Sequence, residues 1–498
     1  MSSVLLWTPP APIDWAALSP ALLLVLGACG LVLGATWRAL PPRALGVAAL
    51  AILVLAAIAN SAGWGAPRSA FGGLVIVDRF GILASSIAYL ACALTVLMSL
   101  HYLDREPGIP SEYYGLLLLS TAGMGWMVTS ANLVGIFLGL EVLSIPLYVM
   151  AGLVRTRARA IESSLKYFLL GAFSTGFLVY GIAFLYGGSG GFGLAQVSQA
   201  LERAAGVEER WLLLGMGLLL VGLAFKVAAA PFHIWVPDVY EGSPVSVASF
   251  MATGTKAAAF AALVRVVFAG FGEGSFDIWR HALSVLAVLT MTIGNLLALG
   301  QTSIKRLLAY SSIAHAGYLL IAVVTFSTAG VESLLYYLFA YVFMTAGAFG
   351  VVALVAGAGP DGGERGVTLE EYAGLIRRRP ALAVALCLFM LSLAGIPPTG
   401  GFVAKFYLFR AAILEGLSPE RSDLIGLAII GVLNSVLGAF YYLKVVVAIT
   451  MREPGLDAAA PAEPTPLAYA CVALALVGTL VLGVYPGALT RLSSQPLF

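Results

Sequence analysis

The sequence predicts an all-α polytopic membrane protein of about fourteen transmembrane helices, since crossing the hydrocarbon takes about 20 mostly apolar residues. Three observations carry this expectation. Composition is the first: hydrophobic residues make up 60% of the chain and charged residues 10%, with a mean hydropathy of +0.96. A soluble domain carries about 25% charged residues, so the bilayer is the solvent that fits this surface. Second, long apolar runs follow one another with short polar connections between them. Third, two of the runs contain proline and glycine where a helix must break, as in membrane proteins that line a polar cavity with broken helices.

In chain order the runs cover 17–37, 43–62, 80–101, 113–129, 132–154, 162–187, 211–231, 244–270, 280–301, 305–326, 331–357, 381–412, 424–450 and 466–490. The first few and the last hold Leu, Ala, Val and Gly without a buried charge. In the seventh, LLLVGLAFKVAAAPFHIW, Pro231 removes a backbone donor and clashes with the preceding turn, so the helix should stop there. In the twelfth, LSLAGIPPTGGFVAKFYLF, Pro397, Pro398, Gly400 and Gly401 make a second break. The breaks lie five runs apart, which suits two five-helix units in inverted orientation. The longest connections, near 188–209 and 358–379, leave no room for a soluble domain.

Basic residues set the expected orientation, because cytoplasmic loops collect Lys and Arg. With the N-terminus outside, the inner loops hold Arg38, Arg43, Arg105, Arg155, Arg157, Arg159, Lys305, Arg306, Arg377, Arg378, Arg379 and Arg452, and both termini fall outside. No cleavable signal is expected, since the first basic residue, Arg38, follows the first apolar run. The net charge of +2 gives no argument for nucleic acid. Cys29, Cys92, Cys387 and Cys471 lie far apart in apolar runs, which excludes zinc, iron–sulfur and disulfide spacing and leaves small core residues.

The candidate functional residues are charges where charge is costly. A lysine at the bilayer centre costs about 2.5–3.5 kcal/mol on insertion scales. Lys226 precedes the first break, Lys405 follows the second, and Lys256 lies midway along SVASFMATGTKAAAFAALV. Glu141 is an acid deep in the uninterrupted run NLVGIFLGLEVLSIPLYVM, and Lys226 is its expected partner. Lys166, four residues after Glu162, has the order of a helix-surface pair. Lys305 and Lys444 sit near run ends and read as interfacial anchors. His315, beside Tyr310, Ser311 and Ser312, and His233, after Pro231, are imidazoles able to exchange a proton near neutral pH. A lysine out of water holds its proton better with a carboxylate close by than alone. Motion of Glu141 against Lys226 would therefore pass a proton on, and water, histidine and hydroxyls would relay it. Moving a charge against the membrane potential costs about 2.3 kcal/mol per 100 mV. The chain has no nucleotide or redox motif to supply that energy.

The segments LEVLSIPLYVMAGLVR, SSLKYFLLGAFSTGFLVYGIAFLYG, FKVAAAPFHIWVPDVYEGSPVSV, LAYSSIAHAGYLL and LSLAGIPPTGGFVAKFYLF resemble the subunit N family of proton-pumping NADH:quinone oxidoreductase, respiratory complex I. The resemblance covers roughly residues 75–450. It implies an antiporter-like subunit of fourteen helices. The parts are an N-terminal unit 1–110, five-helix repeats 111–272 and 273–455, and a last helix in 456–498. It implies a proton path through Glu141, Lys166, Lys226, Lys256 and Lys405. It also implies that flavin, iron–sulfur clusters and quinone belong to other subunits and that the antiporter-like subunit M and the small subunit K are neighbours. An N-terminus unlike an Arg-rich transit peptide and the Arg-rich, Lys-poor usage lead to the expectation of a bacterial cytoplasmic (inner) membrane. A subunit of a multisubunit sodium/proton antiporter and a non-conducting membrane scaffold are the competing readings.

Overall fold

A computed structural model describes residues 14–36, 41–65, 67–105, 112–358, 364–454 and 466–487. Among the described residues each apolar run is built mainly on helix. The first are α1 (Trp15–Ala35), α2 (Pro42–Ser61), α3 (Arg79–Arg105), α4 (Tyr113–Thr129), α5 (Leu133–Ala151) and α6 (Ala158–Ser189). Next come a short α7 (Leu194–Arg203), α8 (Val207–Val227), α9 (Trp235–Gly242), α10 (Val245–Phe271) and α11 (Gly272–Leu299). The chain closes with α12 (Ile304–Val324), α13 (Thr328–Val355), α14 (Pro380–Ala394), α15 (Gly400–Gly416), α16 (Asp423–Met451) and α17 (Pro466–Val484). Among the described residues eleven helices are long and apolar enough to cross a membrane. Outside that set are the 17-residue α4 and α15, the 15-residue α14, α17, and the short α7 and α9.

Helices with little amphipathicity sort by what surrounds them. The apolar stretches of α10, α12 and α13 are 100%, 94% and 89% buried, whereas that of α1 is 17% buried. The centre of the molecule is therefore α10, α12 and α13, and α1 and α2 lie at its outside. Small residues let the helices approach closely. A Cβ on Gly123 of α4 would stand 2.4 Å from the Leu143 nitrogen of α5.

Both predicted breaks are present. α8 ends at Val227, and the chain turns through Ala228 at φ +64°. α14 ends at Ala394, and the chain turns through Gly395 at φ +89°. The helix thus stops before Pro231 itself, because the left-handed turn at Ala228 precedes it. The two ends are closed differently. The Phe225 carbonyl of α8 accepts the Trp235 indole N–H of α9 at 3.2 Å. The Leu393 and Ala394 carbonyls of α14 accept the Lys405 ammonium of α15 at 3.1 and 3.0 Å.

The connections are more ordered than expected. Segment 188–209 contains α7, which buries Leu194 and Val197 against the bundle. A hairpin of β1 (Arg68–Ala70) and β2 (Val75–Val77) precedes α3, and isolated bridges Val75–Ser130 and Asn132–Gly193 extend it. In segment 358–379 the Glu371 carboxylate accepts the N–H groups of Gly366, Val367 and Thr368. Burial pushes this carboxyl up, but those donors outweigh it and hold it below the ordinary glutamate value.

Cys92 and Cys471 are buried as expected, but Cys29 is exposed on α1 and Cys387 is intermediate. Arg38, the Arg105 side chain, both termini (1–13 and 488–498) and the boundaries near 110 and 455 lie outside the described residues.

Candidate proton path

The first buried cation is Lys226, in the last turn of α8. Its ammonium donates to Ser144 Oγ at 2.7 Å and to the Tyr148 hydroxyl at 3.4 Å. It also lies 5.5 and 5.6 Å from the Tyr148 and Tyr167 ring centres, cation–π range. Ser144 and Tyr148 are on α5, on the face that begins at Glu141 one turn earlier. The direct Glu141–Lys226 pair expected from the sequence is absent among the described residues. Glu141 Oε1 instead accepts the Thr175 hydroxyl of α6 at 2.9 Å, and Ser144 takes the lysine. The reason is orientation: Glu141 is half-buried and leans toward α6, while Lys226 approaches α5 a turn lower.

Lys256 is the second. It follows a π-turn, Met251–Thr255, inside α10. Such turns recur at functional sites. The Lys256 ammonium donates to the backbone carbonyl and, at 2.5 Å, to the hydroxyl of Ser312 on α12. Its ring partner is Tyr341 at 5.6 Å. Thr253 bonds back to Ser249 of its own helix and does not serve the lysine.

One turn beyond Ser312 stands His315, 1% exposed and held at both nitrogens. Nδ1 is 2.7 Å from the Tyr337 hydroxyl of α13, and Nε2 is 3.0 Å from the Tyr442 hydroxyl of α16. Tyr442 also meets Ser311 at 2.5 Å. Tyr310 faces Arg306 rather than the histidine. Lys405 completes the row. Besides the α14 carbonyls it donates to Ser435 Oγ of α16 at 2.7 Å and lies 5.0 Å from the Tyr318 ring. The Tyr318 hydroxyl accepts from Asn295, whose carbonyl oxygen accepts from Tyr441, each at 3.0 Å. Between Lys256 and Lys405 the interior is thus furnished with hydroxyls, an imidazole and an amide, all able to donate and accept.

The other sequence candidates fall elsewhere. His233 is buried within the first break, and its Nδ1 has no partner among the described residues. Lys166 is half-exposed and paired with Glu162 at 2.7 Å, as its spacing foretold, and with Asp238 at 2.8 Å. Lys305, expected to reach out at a run end, is instead fully buried and donates to the Ser243 carbonyl at 2.8 Å, because the α9–α10 turn folds over the start of α12. Lys444 donates to the Leu299 and Gln301 carbonyls at 3.4 and 3.2 Å, closing the C-terminal end of α11.

Sequence reading missed the deepest ion pair. Arg265, in α10 just before a second π-turn (Val266–Phe271), binds Asp78 through two nitrogens at 2.8 and 2.9 Å. Its Nε donates to the Val128 carbonyl of α4 at 2.9 Å. The signal was available, since an arginine inside AFAALVRVVFAG is an ionisable residue within an apolar run. Among the described residues no group of three His, Cys, Asp or Glu converges as a metal site.

Buried cations on helices that break and are recapped inside the bundle define the class: an antiporter-like membrane protein. Residues 130–437 match the family described as NADH:quinone oxidoreductase/Mrp antiporter, transmembrane. The chain is 45% identical to NADH-quinone oxidoreductase subunit N of Trichlorobacter lovleyi, over 89% of this chain and 88% of that one. Among solved structures, it is similar to a chain of respiratory complex I from Thermus thermophilus with bound aureothin. The TM-score is 0.78 at 37% identity, covering 95% and 98% of the two chains. A chain of the Mrp complex from Dietzia shares the fold at a TM-score of 0.76 and 24% identity, covering 97% and 95%. The chain belongs to the NADH-quinone oxidoreductase subunit N family.

Proposed function

We propose that the chain translocates protons as a membrane subunit of an NADH:quinone oxidoreductase. The path runs through Glu141, Lys226, Lys256, His315 and Lys405, with Lys166 at its charged rim and His233 in the first break. The single observation that carries this reading is the row itself. Lys226, Lys256, His315 and Lys405 are each less than 7% exposed, and each is in hydrogen-bond reach of a hydroxyl. Exposed lysines need no such partners, and a scaffold would not retain four costly groups in succession.

The polar chain supports a division of labour. Glu141 and Ser144 lie one turn apart on α5, and Ser144 accepts from Lys226, so a movement of that turn of α5 would be felt at the ammonium. Ser312 and the Tyr442–His315–Tyr337 cluster give a proton leaving Lys256 a set of groups that both accept and donate. At Lys405 the carbonyl ends of α14 stabilise the charged form through the helix dipole. The energy comes from redox chemistry on partner subunits, which also carry flavin, iron–sulfur clusters and quinone. The antiporter-like subunit M and the small subunit K are the proposed neighbours. The proposal keeps about fourteen crossings, counting α14 with α15 as one broken span. It also keeps repeats at 111–272 and 273–455, a bacterial inner membrane, and both termini on the periplasmic side, from the basic residues at the opposite end.

Ion identity is the test. In sealed vesicles carrying the assembled complex, NADH-driven acidification is expected to persist at an unchanged rate when sodium is replaced by choline. A sodium requirement, or sodium uptake in exchange for protons without any redox partner, would put the chain among sodium/proton antiporters instead.

A further inference from the structure

The half-helix after the first break is held from two sides. α9 carries Asp238 near its middle, and the two oxygens of that carboxylate are divided between the halves of the chain. Oδ2 accepts from Lys166 of α6 at 2.8 Å, and Oδ1 accepts from Arg306 of α12 at 2.8 Å. Arg306 also reaches Glu241 of the same half-helix at 2.9 Å. A cavity of about 210 Å³ adjoins this cluster, lined by Arg159, Glu162, Lys166, Asp238, Glu241 and Arg306. Partly exposed ion pairs contribute only about 0–1 kcal/mol each to stability. Holding the fold together is therefore a weak account of why three cations and three acids meet here.

Position gives a better one. The opposite side of α9 is built into the Lys226 site. Trp235 stacks on Tyr167 at 4.5 Å between ring centres, and its indole N–H closes the end of α8 at Phe225, beside the lysine. Tyr167 follows Lys166 in sequence, and its ring lies 5.6 Å from the Lys226 ammonium. Tyr148, which bonds to that ammonium, packs edge-on against Tyr167 at 4.8 Å. Ser163 ties the same stretch of α6 to the Asp238 backbone carbonyl at 3.0 Å. Displacing α9 therefore shifts the Trp235–Tyr167 wall around Lys226.

We propose that Asp238 is a positioning residue for proton transfer. By joining Lys166 of α6 to Arg306 of α12, it fixes α9 and, through Trp235 and Tyr167, the surroundings of Lys226. The inference rests on the reading of Lys226 as a proton carrier. A change in how Asp238 is shared between its two cations would convey motion of one half of the chain to the lysine of the other.

The test reads protons moved per electron, separately from the rate of NADH oxidation, in the assembled complex in proteoliposomes. Asp238→Asn is expected to lower the ratio about twofold or more, the scale of coupling changes at residues that touch neither reactant. Asp238→Glu restores it. Lys166→Gln and Arg306→Gln each lower it, and adding Asp238→Asn to the two together lowers it no further. A wild-type ratio in Asp238→Asn, with the ratio lost in Lys226→Gln, overturns the positioning role alone. A wild-type ratio in Lys226→Gln overturns the reading on which it rests. Should Asp238→Asn fail to assemble, Arg306→Gln decides, because Arg306 holds Asp238 but is no part of the path: a lowered ratio sustains the role, and a wild-type ratio overturns it.

Discussion

Replacing Arg265 with methionine is expected to destabilise the chain by about 3–5 kcal/mol, the usual cost of removing one partner from a buried ion pair. Asp78 and Arg265 are each about 2% exposed at the side chain, so the carboxylate left behind has no water to turn to. The loss reaches three places at once. Asp78 precedes α3, the Val128 carbonyl belongs to the end of α4, and Arg265 is on α10. Its removal detaches the hairpin side of the N-terminal helices from the central helix. The measurement is the thermal midpoint of the purified complex in detergent, with the amount assembled in the membrane beside it. Removing both charges together, Asp78→Asn with Arg265→Met, is expected to recover part of the loss, because no unpaired charge then remains. Full stability in Arg265→Met alone would show that the pair does not hold these elements.

The second large effect is at Lys405, where capping and proton exchange are joined in one group. Lys405→Met leaves the Leu393 and Ala394 carbonyls without their side-chain donor at the second break. An unsatisfied buried acceptor costs about 1–3 kcal/mol, and the exchangeable proton is lost as well. Both stability and pumping should fall. Lys405→Arg separates the two. A guanidinium still donates to the carbonyls but does not give up its proton in a protein. The expected result is therefore a chain that assembles nearly as well as wild type and pumps little. Proton uptake and thermal midpoint measured on the same preparations check this. Pumping retained in the arginine variant would make Lys405 a cap and nothing more.

Much of this was legible in the sequence, for identifiable reasons. Apolar length gives spans, and Pro231, Pro397 and Pro398 announce breaks that no continuous helix accommodates. Lys226, Lys256 and Lys405 are visible because lysine in the hydrocarbon is costly enough to require a purpose. What a linear reading does not supply is which faces meet. Glu141 and Lys226 are both deep, yet the rotation of α5 brings Ser144 to the lysine and turns Glu141 to Thr175. Lys305 is at a run end and looks like an anchor, but the Ser243 turn covers it. Asp238, in the polar-looking stretch PDVYEG, resembles a loop acid until α6 and α12 are seen on either side of it. Nothing in the sequence singles out Tyr337 and Tyr442. Only the packing of α13 and α16 on α12 makes them the two partners of His315.

The buried cations are proposed to carry protons, beyond any part they have in holding helices together. Protons moved per electron, measured in proteoliposomes containing the assembled complex with Lys226→Gln, tests it most directly. Glutamine keeps a donor for Ser144 but has no proton to exchange at physiological pH. Normal assembly with a reduced ratio is expected. A wild-type ratio from a fully assembled Lys226→Gln complex would contradict it.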